Sequence, residues 1–180
     1  MIDYPITMKK SLISGIGVFS TRLIKMGERI CFMEGREMNI NEAIKRIKKG
    51  TQNNGDLLQI DNNMYMRMME LNRCVNHSCN PNSFIRGKNE LITLKDILKE
   101  EEITYDYSTT MWEDKEELKN NFDEDVWTMN CSCGSQNCRK VIDQFYLLPN
   151  KLQKFYLENK FVPDFILKNH SKIKNNIQSK

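Results

Sequence analysis

A mostly β fold built as one domain is the class that this sequence of 180 residues predicts, and three observations predict it. Short apolar runs recur between turns bearing glycine or asparagine through the first two thirds of the chain. Helical spacing is convincing in only one place before the C-terminal region. No internal repeat and no long linker divides the chain, and 180 residues with 39% hydrophobic content can bury roughly two thirds of the surface of the unfolded form.

Taken in order, Tyr4 to Met8, Gly17 to Thr21 and Glu28 to Met33 read as strands, with turns near Gly15 and at Lys25-Met26-Gly27. Asn41 to Lys49 reads as a helix with Asn41 as N-cap, Ile40, Ile44 and Ile47 on one face, and Gly50 as its stop. Leu57 to Asp61 and Met64 to Met68 bracket Asn62-Asn63, a pair that tolerates positive φ and so closes a hairpin. Along its second arm Met64, Met66 and Met68 alternate, which implies one buried face. A further hairpin runs from Phe84 to Arg86 across Gly87-Lys88-Asn89 to Leu91 through Leu94, and a strand follows at Glu102 to Tyr107. Pro149 suits a first helical turn, and Leu152, Phe155 and Tyr156 form an apolar stripe up to Asn159. Lys168 to Lys180 lacks a core pattern and is expected to fray.

Mean hydropathy of −0.61 and the lack of any apolar run near the ~18 residues of a membrane span exclude a transmembrane helix. Nothing near Met1 reads as a secretory signal, so the expected location is cytoplasmic or nuclear. Four of the lysines behind the net charge of +3 stand in Lys168 to Lys180, which carries no acid, so the body is close to neutral. Direct nucleic-acid contact is therefore expected only from the tail, and weakly. Between Glu100 and Asp125 eleven acids face only Lys115 and Lys119, a block suited to a basic partner.

The six cysteines stand at 31, 74, 79, 131, 133 and 138. In a reducing compartment metal binding explains them better than disulfides. Cys131, Cys133 and Cys138 lie within eight residues, with Gly134 free to turn the chain around an ion. A tetrahedral zinc site needs one ligand more, and Cys79, Cys74, Cys31, His77 and His170 are the candidates.

Four segments then combine. Ser11 to Phe19 carries Gly15-Ile16-Gly17; Asn72-Arg73-Cys74-Val75-Asn76-His77-Ser78-Cys79-Asn80-Pro81-Asn82 gathers amides, an imidazole and thiols; Glu101-Glu102-Ile103-Thr104-Tyr105-Asp106-Tyr107 follows; the cysteine cluster closes the series. In that order they resemble the SET-domain protein lysine methyltransferases, over roughly residues 6 to 148. The resemblance implies a SET-domain fold of short β-sheets with a knot-like crossing of the Asn76 to Asn82 loop and the strand ending at Tyr107. It also implies a SET domain over residues 1–130, a post-SET zinc segment over 131–148, and a C-terminal helical extension with a basic tail over 149–180.

The same resemblance implies S-adenosylmethionine as methyl donor and one zinc ion as cofactors. Gly15, Ile16, Gly17, Arg73, Asn76, His77 and Tyr107 inherit the cofactor-binding positions, the glycines by giving bare backbone to the ligand. Tyr107 inherits the catalytic role and Tyr105 the limit on product degree. Cys79 joins Cys131, Cys133 and Cys138 around the zinc, leaving Cys74 and Cys31 as buried hydrophobes. Met33 stands where the family has a channel tyrosine, and the family's glycine before the paired glutamates is Glu100. The implied reaction is methyl transfer to a lysine ε-amine of a basic protein, with histone-like, chromatin or ribosomal proteins as partners. The rival expectation is a zinc-stabilised module that binds basic peptides without turnover.

Overall fold

The computed structural model describes residues 4–178, with side chains through residue 172. Strands β1 (Ile6–Lys10) and β2 (Ile16–Ser20) pair antiparallel from Ile6↔Ser20 to Lys10↔Ile16. Their turn closes with Ser11 N–H donating to the Gly15 carbonyl at 3.0 Å, and Gly15 supplies the left-handed φ of +48° that the turn needs. Then come β3 (Arg29–Phe32), β4 (Gly35–Asn39), helix α1 (Ile40–Lys48), the hairpin β5 (Leu57–Asp61) and β6 (Met64–Met68), and the single-turn α2 (Glu70–Arg73). The two-residue β7 (Asn76–His77) precedes the hairpin β8 (Ser83–Arg86) and β9 (Glu90–Thr93), then β10 (Glu102–Tyr105). Helix α3 (Lys115–Phe122), the short pair β11 (Met129–Asn130) and β12 (Val141–Ile142), α4 (Asn150–Glu158) and α5 (Asp164–Gln178) complete the chain.

Among the described residues the strands form four small sheets, ordered β1-β2-β10-β7, β3-β9-β8, β4-β6-β5 and β11-β12. One core joins the first three: Val18, Ile30, Met66, Ile85, Leu91 and Ile103 pack together, all buried. Each such aliphatic residue contributes about 1.5–3 kcal/mol relative to exposure. A second apolar cluster, with Phe145, Tyr156, Phe165 and Ile166, holds the C-terminal helices.

Several expectations change. The cap of α1 is Asn39, not Asn41: its side chain accepts from Glu42 N–H at 3.0 Å, so the helix starts one residue earlier. Strand β4 fills the stretch before it, where the sequence offers charged residues and no alternation. The strand expected to reach Tyr107 ends at Tyr105, because Asp106 caps a 3₁₀ turn over Tyr107–Thr110 by accepting from Ser108 N–H at 3.1 Å. The segment expected to fray from Lys168 continues α5 to Gln178, anchored by buried Phe165, Ile166 and Asn169; Ser179 and Lys180 lie outside the described residues. No helix among the described residues is long and apolar enough to cross a membrane.

β7 and β10 are far apart in sequence yet pair parallel, Thr104 with Asn76 and Tyr105 with His77. The loop after β7 is held from both sides. Asn82 substitutes for a strand, accepting from Thr104 N–H at 2.9 Å and donating to the Glu102 carbonyl at 2.8 Å. From the other side Asn137 donates to the Cys79 carbonyl at 3.3 Å. The crossing thus brings Asn76, His77, Cys79, Tyr105 and Tyr107 into one neighbourhood.

Candidate active site and thiol cluster

Two cavities meet at Tyr107. The first, of about 190 Å³, is lined by Ile13, Ser14, Asn76, His77, Tyr107 and Cys131 among others. Its floor is hydrogen-bonded. Asn76 Nδ2 donates to Glu102 Oε1 at 2.8 Å and to the carbonyls of Ser14 and Ile16 at 3.2 and 3.3 Å. The Glu102 carboxylate also accepts from Ser11 Oγ at 2.8 and 2.9 Å. Gly17 makes room for that carboxylate: a Cβ there would stand 2.2 Å from Glu102 Oε1. The glycines are therefore demanded by the chain itself, Gly15 by its φ and Gly17 by Glu102, and the segment meets the cavity through Ile13 and Ser14, just ahead of Gly15 to Gly17.

His77 is buried, and both ring nitrogens are engaged: Nδ1 accepts from Tyr107 N–H at 3.1 Å and Nε2 lies 3.2 Å from Cys79 Sγ. Burial pushes its pKa down to about 4, against the raising effect of Asp106, so the imidazole is neutral near pH 7. What His77 offers a ligand in this cavity is thus its backbone and ring carbons. Arg73 stands elsewhere: it pairs with Asp56 at 3.7 Å and faces a groove beside β4 and β6.

The second cavity is narrow, about 40 Å³, and is lined by Leu57, Tyr65, Met68, Tyr105, Tyr107 and Trp127 among others. The extended backbone of Asp106 turns both tyrosines into it, with ring centroids 4.8 Å apart. Tyr107 Oη donates to the Val75 carbonyl at 2.8 Å. Burial raises both phenols far above their ordinary range, so each stays protonated. Glu113 is the carboxyl in this lining; burial raises its pKa, opposed by hydrogen bonds from Trp127 N–H at 2.7 Å, Tyr65 Oη at 3.1 Å and Gln144 Nε2 at 3.3 Å. Met33 is buried and lines the groove that Arg73 faces, with Met68 between that groove and the narrow cavity.

Asp106 ties three segments together. Its carboxylate accepts from Arg139 Nη2 at 2.6 Å, from Tyr156 Oη on α4 at 3.0 Å and from Ser108 N–H. The acidic block divides accordingly. Glu100 pairs with Lys9, Glu101 caps Leu98 N–H at 3.0 Å and Glu102 serves the first cavity, while Glu124 and Asp125 stand on the rim of a cleft beside the narrow cavity.

Of the predicted metal ligands, Cys79, Cys131 and Cys133 converge, and with His77 their candidate donor atoms all lie within 4.8 Å of one another. Cys138 packs against the same cluster with Sγ 3.6 Å from the Cys131 carbonyl. Backbone N–H groups point at sulfur: Arg139 at Cys79 Sγ and Cys79 at Cys133 Sγ, each at 3.4 Å. Burial raises Cys133, but the N–H of Cys79 and the Ser135 hydroxyl outweigh it and bring the thiol to about 6. Unbridged thiols served by N–H donors, with the Arg139 guanidinium close by, fit a thiolate-bound zinc. Cys31 is buried and remote, as expected, and Cys74 is half-buried beside the main core.

The sequence did not point to Glu102, Leu57, Tyr65, Trp127, Glu113 or Gln144. Glu102 stands inside the Glu101–Tyr107 segment but counts there only as charge. The others lie on separate elements and share no spacing.

A model of the SET domain matches residues 15–108. Among curated proteins, the variant-silencing SET domain-containing protein of Plasmodium falciparum is 35% identical over 73% of this chain and 5% of its own length. Human histone-lysine N-methyltransferase SETMAR is 30% identical over 69% of this chain and 21% of its own length. The chain thus spans a small part of these relatives. Among solved structures, the methyltransferase domain of human SETMAR superposes with a TM-score of 0.57 at 20% identity, covering 79% of this chain and 59% of that one. Arabidopsis thaliana SUVH6 in complex with SAM superposes with a TM-score of 0.60 at 20% identity, covering 78% and 33%. Likeness at this level of identity carries the fold, and the family follows from the matched segment, which takes in the glycine turn, the Asn76-His77 loop and Tyr107: the chain belongs to the SET domain family.

Proposed function

We propose that this protein is a protein-lysine N-methyltransferase that moves a methyl group from S-adenosylmethionine to a lysine ε-amine of a basic protein. The observation that carries it is the position of Tyr107 in the walls of both cavities, one broad and polar-floored, the other narrow and mostly apolar. A donor and an acceptor entering from opposite sides would meet at that residue, which in-line displacement requires.

S-adenosylmethionine supplies, when bound, a methyl group activated on a sulfonium. Ile13, Ser14 and the Asn76-His77 backbone would hold it, with Asn76 Oδ1 as acceptor for its ammonium, since Nδ2 is committed to Glu102 and the turn. On the other side Leu57, Met68 and the two tyrosine rings would sheathe the lysine stem and exclude water. Such surroundings disfavour an ammonium and so lower the amine's pKa from its usual value near 10.4, towards the neutral form that attacks. The Tyr107 hydroxyl and the Val75 carbonyl it binds mark where the reacting groups are oriented. Cys79, Cys131, Cys133 and Cys138 would hold one zinc, joining the residue 131–138 segment to the loop that lines the donor cavity.

Glu124 and Asp125 on the cleft beside the narrow cavity pair with Lys48 and Lys115 in exposed, exchangeable contacts, and the excess of acids over lysines in that block favours a lysine-rich protein as substrate. The relatives named histone-lysine N-methyltransferases support a histone-like one. The rival, a peptide-binding module without turnover, does not account for a phenol placed between two cavities. Incubation with isotope-labelled S-adenosylmethionine and a cell lysate, followed by mass spectrometry, decides: methyl-lysine on a defined protein is expected, and cofactor binding with no transfer would favour the module.

A further inference from the structure

The group of close donor atoms contains His77 Nε2 and the sulfurs of Cys79, Cys131 and Cys133, and at face value reads as a three-sulfur, one-nitrogen metal site. The hydrogen bonding around the ring argues otherwise. A backbone N–H can only donate, so Nδ1, which faces Tyr107 N–H at 3.1 Å, must present its lone pair. A neutral imidazole has one proton, and it then sits on Nε2, 3.2 Å from Cys79 Sγ. To ligate a metal, Nε2 would have to give up that proton to Nδ1. The ring would then set N–H against N–H and leave the Tyr107 donor buried without an acceptor, which a folded chain avoids.

We infer that His77 is a positioning residue rather than a metal ligand: its Nε2–H donates to the Cys79 thiolate while Nδ1 accepts from the backbone of Tyr107. The inference rests on reading the thiol cluster as a metal site. Cys138, already packed on the cluster, remains to complete a four-sulfur set. Cys79 is then served by two donors, His77 Nε2–H and Arg139 N–H at 3.4 Å. Hydrogen bonds of this kind orient a ligand and spread its charge, and their removal commonly weakens metal binding about 10- to 100-fold. The ring packs edge-on against Tyr107 with centroids 5.3 Å apart, so one imidazole links the metal ligand to the residue between the two cavities.

The test uses the full chain with Co²⁺ in place of zinc, because cobalt absorption separates four-sulfur from three-sulfur, one-nitrogen coordination. The protein has two histidines, so two-bond ¹H–¹⁵N correlation spectra of the zinc-loaded chain, assigned with His170→Gln, read the tautomer of His77 directly. The expected results are an Nε2–H tautomer and a four-sulfur cobalt spectrum that Cys138→Ser alters and His77→Asn leaves unchanged in shape. His77→Asn can still accept from Tyr107 N–H but loses the donor to Cys79, so its cobalt affinity should drop about tenfold or more. His77→Gln keeps an amide N–H near the Nε2 position and should retain most of the affinity while losing the acceptor for Tyr107. An Nδ1–H tautomer, or a spectrum that His77→Gln changes and Cys138→Ser does not, overturns the inference with the metal site intact. A wild-type chain that binds no cobalt overturns the metal site itself, before any variant is compared.

Discussion

The two cavities that share Tyr107 are built by opposite means. Around the broad one, polar side chains hold backbone: Asn76 and Ser11 converge on Glu102, Asn82 stands in for a strand, and the thiol cluster grips the loop after β7. Around the narrow one, rings and aliphatic groups from β5, β6 and the stretch after Tyr107 simply pack, with Glu113 and Gln144 closing the back. A side held by hydrogen bonds, and by the proposed zinc, should fail by loss of order, because each broken link frees a segment. A side held by packing should change shape by increments of volume.

The largest expected effect sharpens that contrast. Chelation of zinc, or Cys79→Ser, should abolish methyl transfer and loosen residues 131–142 and the loop after β7, while the β5–β6 hairpin keeps its protection. Hydrogen exchange with and without chelator measures this. Uniform loosening of both sides would break the comparison, and full zinc retention in Cys79→Ser would remove Cys79 from the site.

Tyr107→Phe comes next and touches both sides at once. It deletes one oxygen, leaves the ring packing and costs about 1 kcal/mol of stability through the bond to the Val75 carbonyl. If that hydroxyl orients the reacting groups, kcat should fall on the order of 10²-fold with little change in S-adenosylmethionine affinity, as for a group acting mainly in the transition state. Calorimetry and single-turnover kinetics separate the two. Wild-type turnover would end its catalytic assignment.

How much of this the sequence discloses follows the same division. Asn76, His77, Cys79 and the late cysteines are legible because they stand close together along the chain, in segments that resemble those of the family. The hairpins at Asn62-Asn63 and Gly87-Lys88-Asn89 are legible for the same reason, since turn chemistry is local. Leu57, Tyr65 and Trp127 are ordinary core residues by type and meet only through the fold, so no spacing betrays them. Asp106 lies between the two: its sequence neighbours mark the site, but its bonds to Arg139 and Tyr156 depend on where the C-terminal segment returns. Gly17 is the instructive case, because the sequence shows a missing side chain but not its neighbour, and the structure supplies one in Glu102.

Asn76→Ala probes the polar side alone. It removes the amide that joins the Ser14–Ile16 turn to Glu102 and strips an acceptor from the cofactor, losing about 1.5–3 kcal/mol of hydrogen bonding to charge. S-adenosylmethionine affinity measured by calorimetry should fall at least tenfold in a protein that remains folded. Unchanged binding would reject Asn76 as a cofactor contact and leave it as a clamp on the turn.

Tyr105→Phe probes the packed side alone and should have the smallest effect on rate. Tyr105 is buried, and its ring lines the narrow cavity beside Thr110. Removing the oxygen costs about 1 kcal/mol at most and leaves the ring against Tyr107, so binding and orientation of the first methyl transfer should persist. What changes is room beside the amine. A hydroxyl there, alone or with a water it holds, occupies the space a second or third methyl group would need. Met33 lines the neighbouring groove, with Met68 in the wall of both. Wild type should therefore stop at one or two methyl groups, and Tyr105→Phe should carry the same lysine further, as read by mass-resolved methylation of the protein that the lysate screen identifies. Wild-type trimethylation would remove Tyr105 as the limit on product degree, and with it the claim that the packed side responds to volume, while transfer itself and the role of Tyr107 would stand.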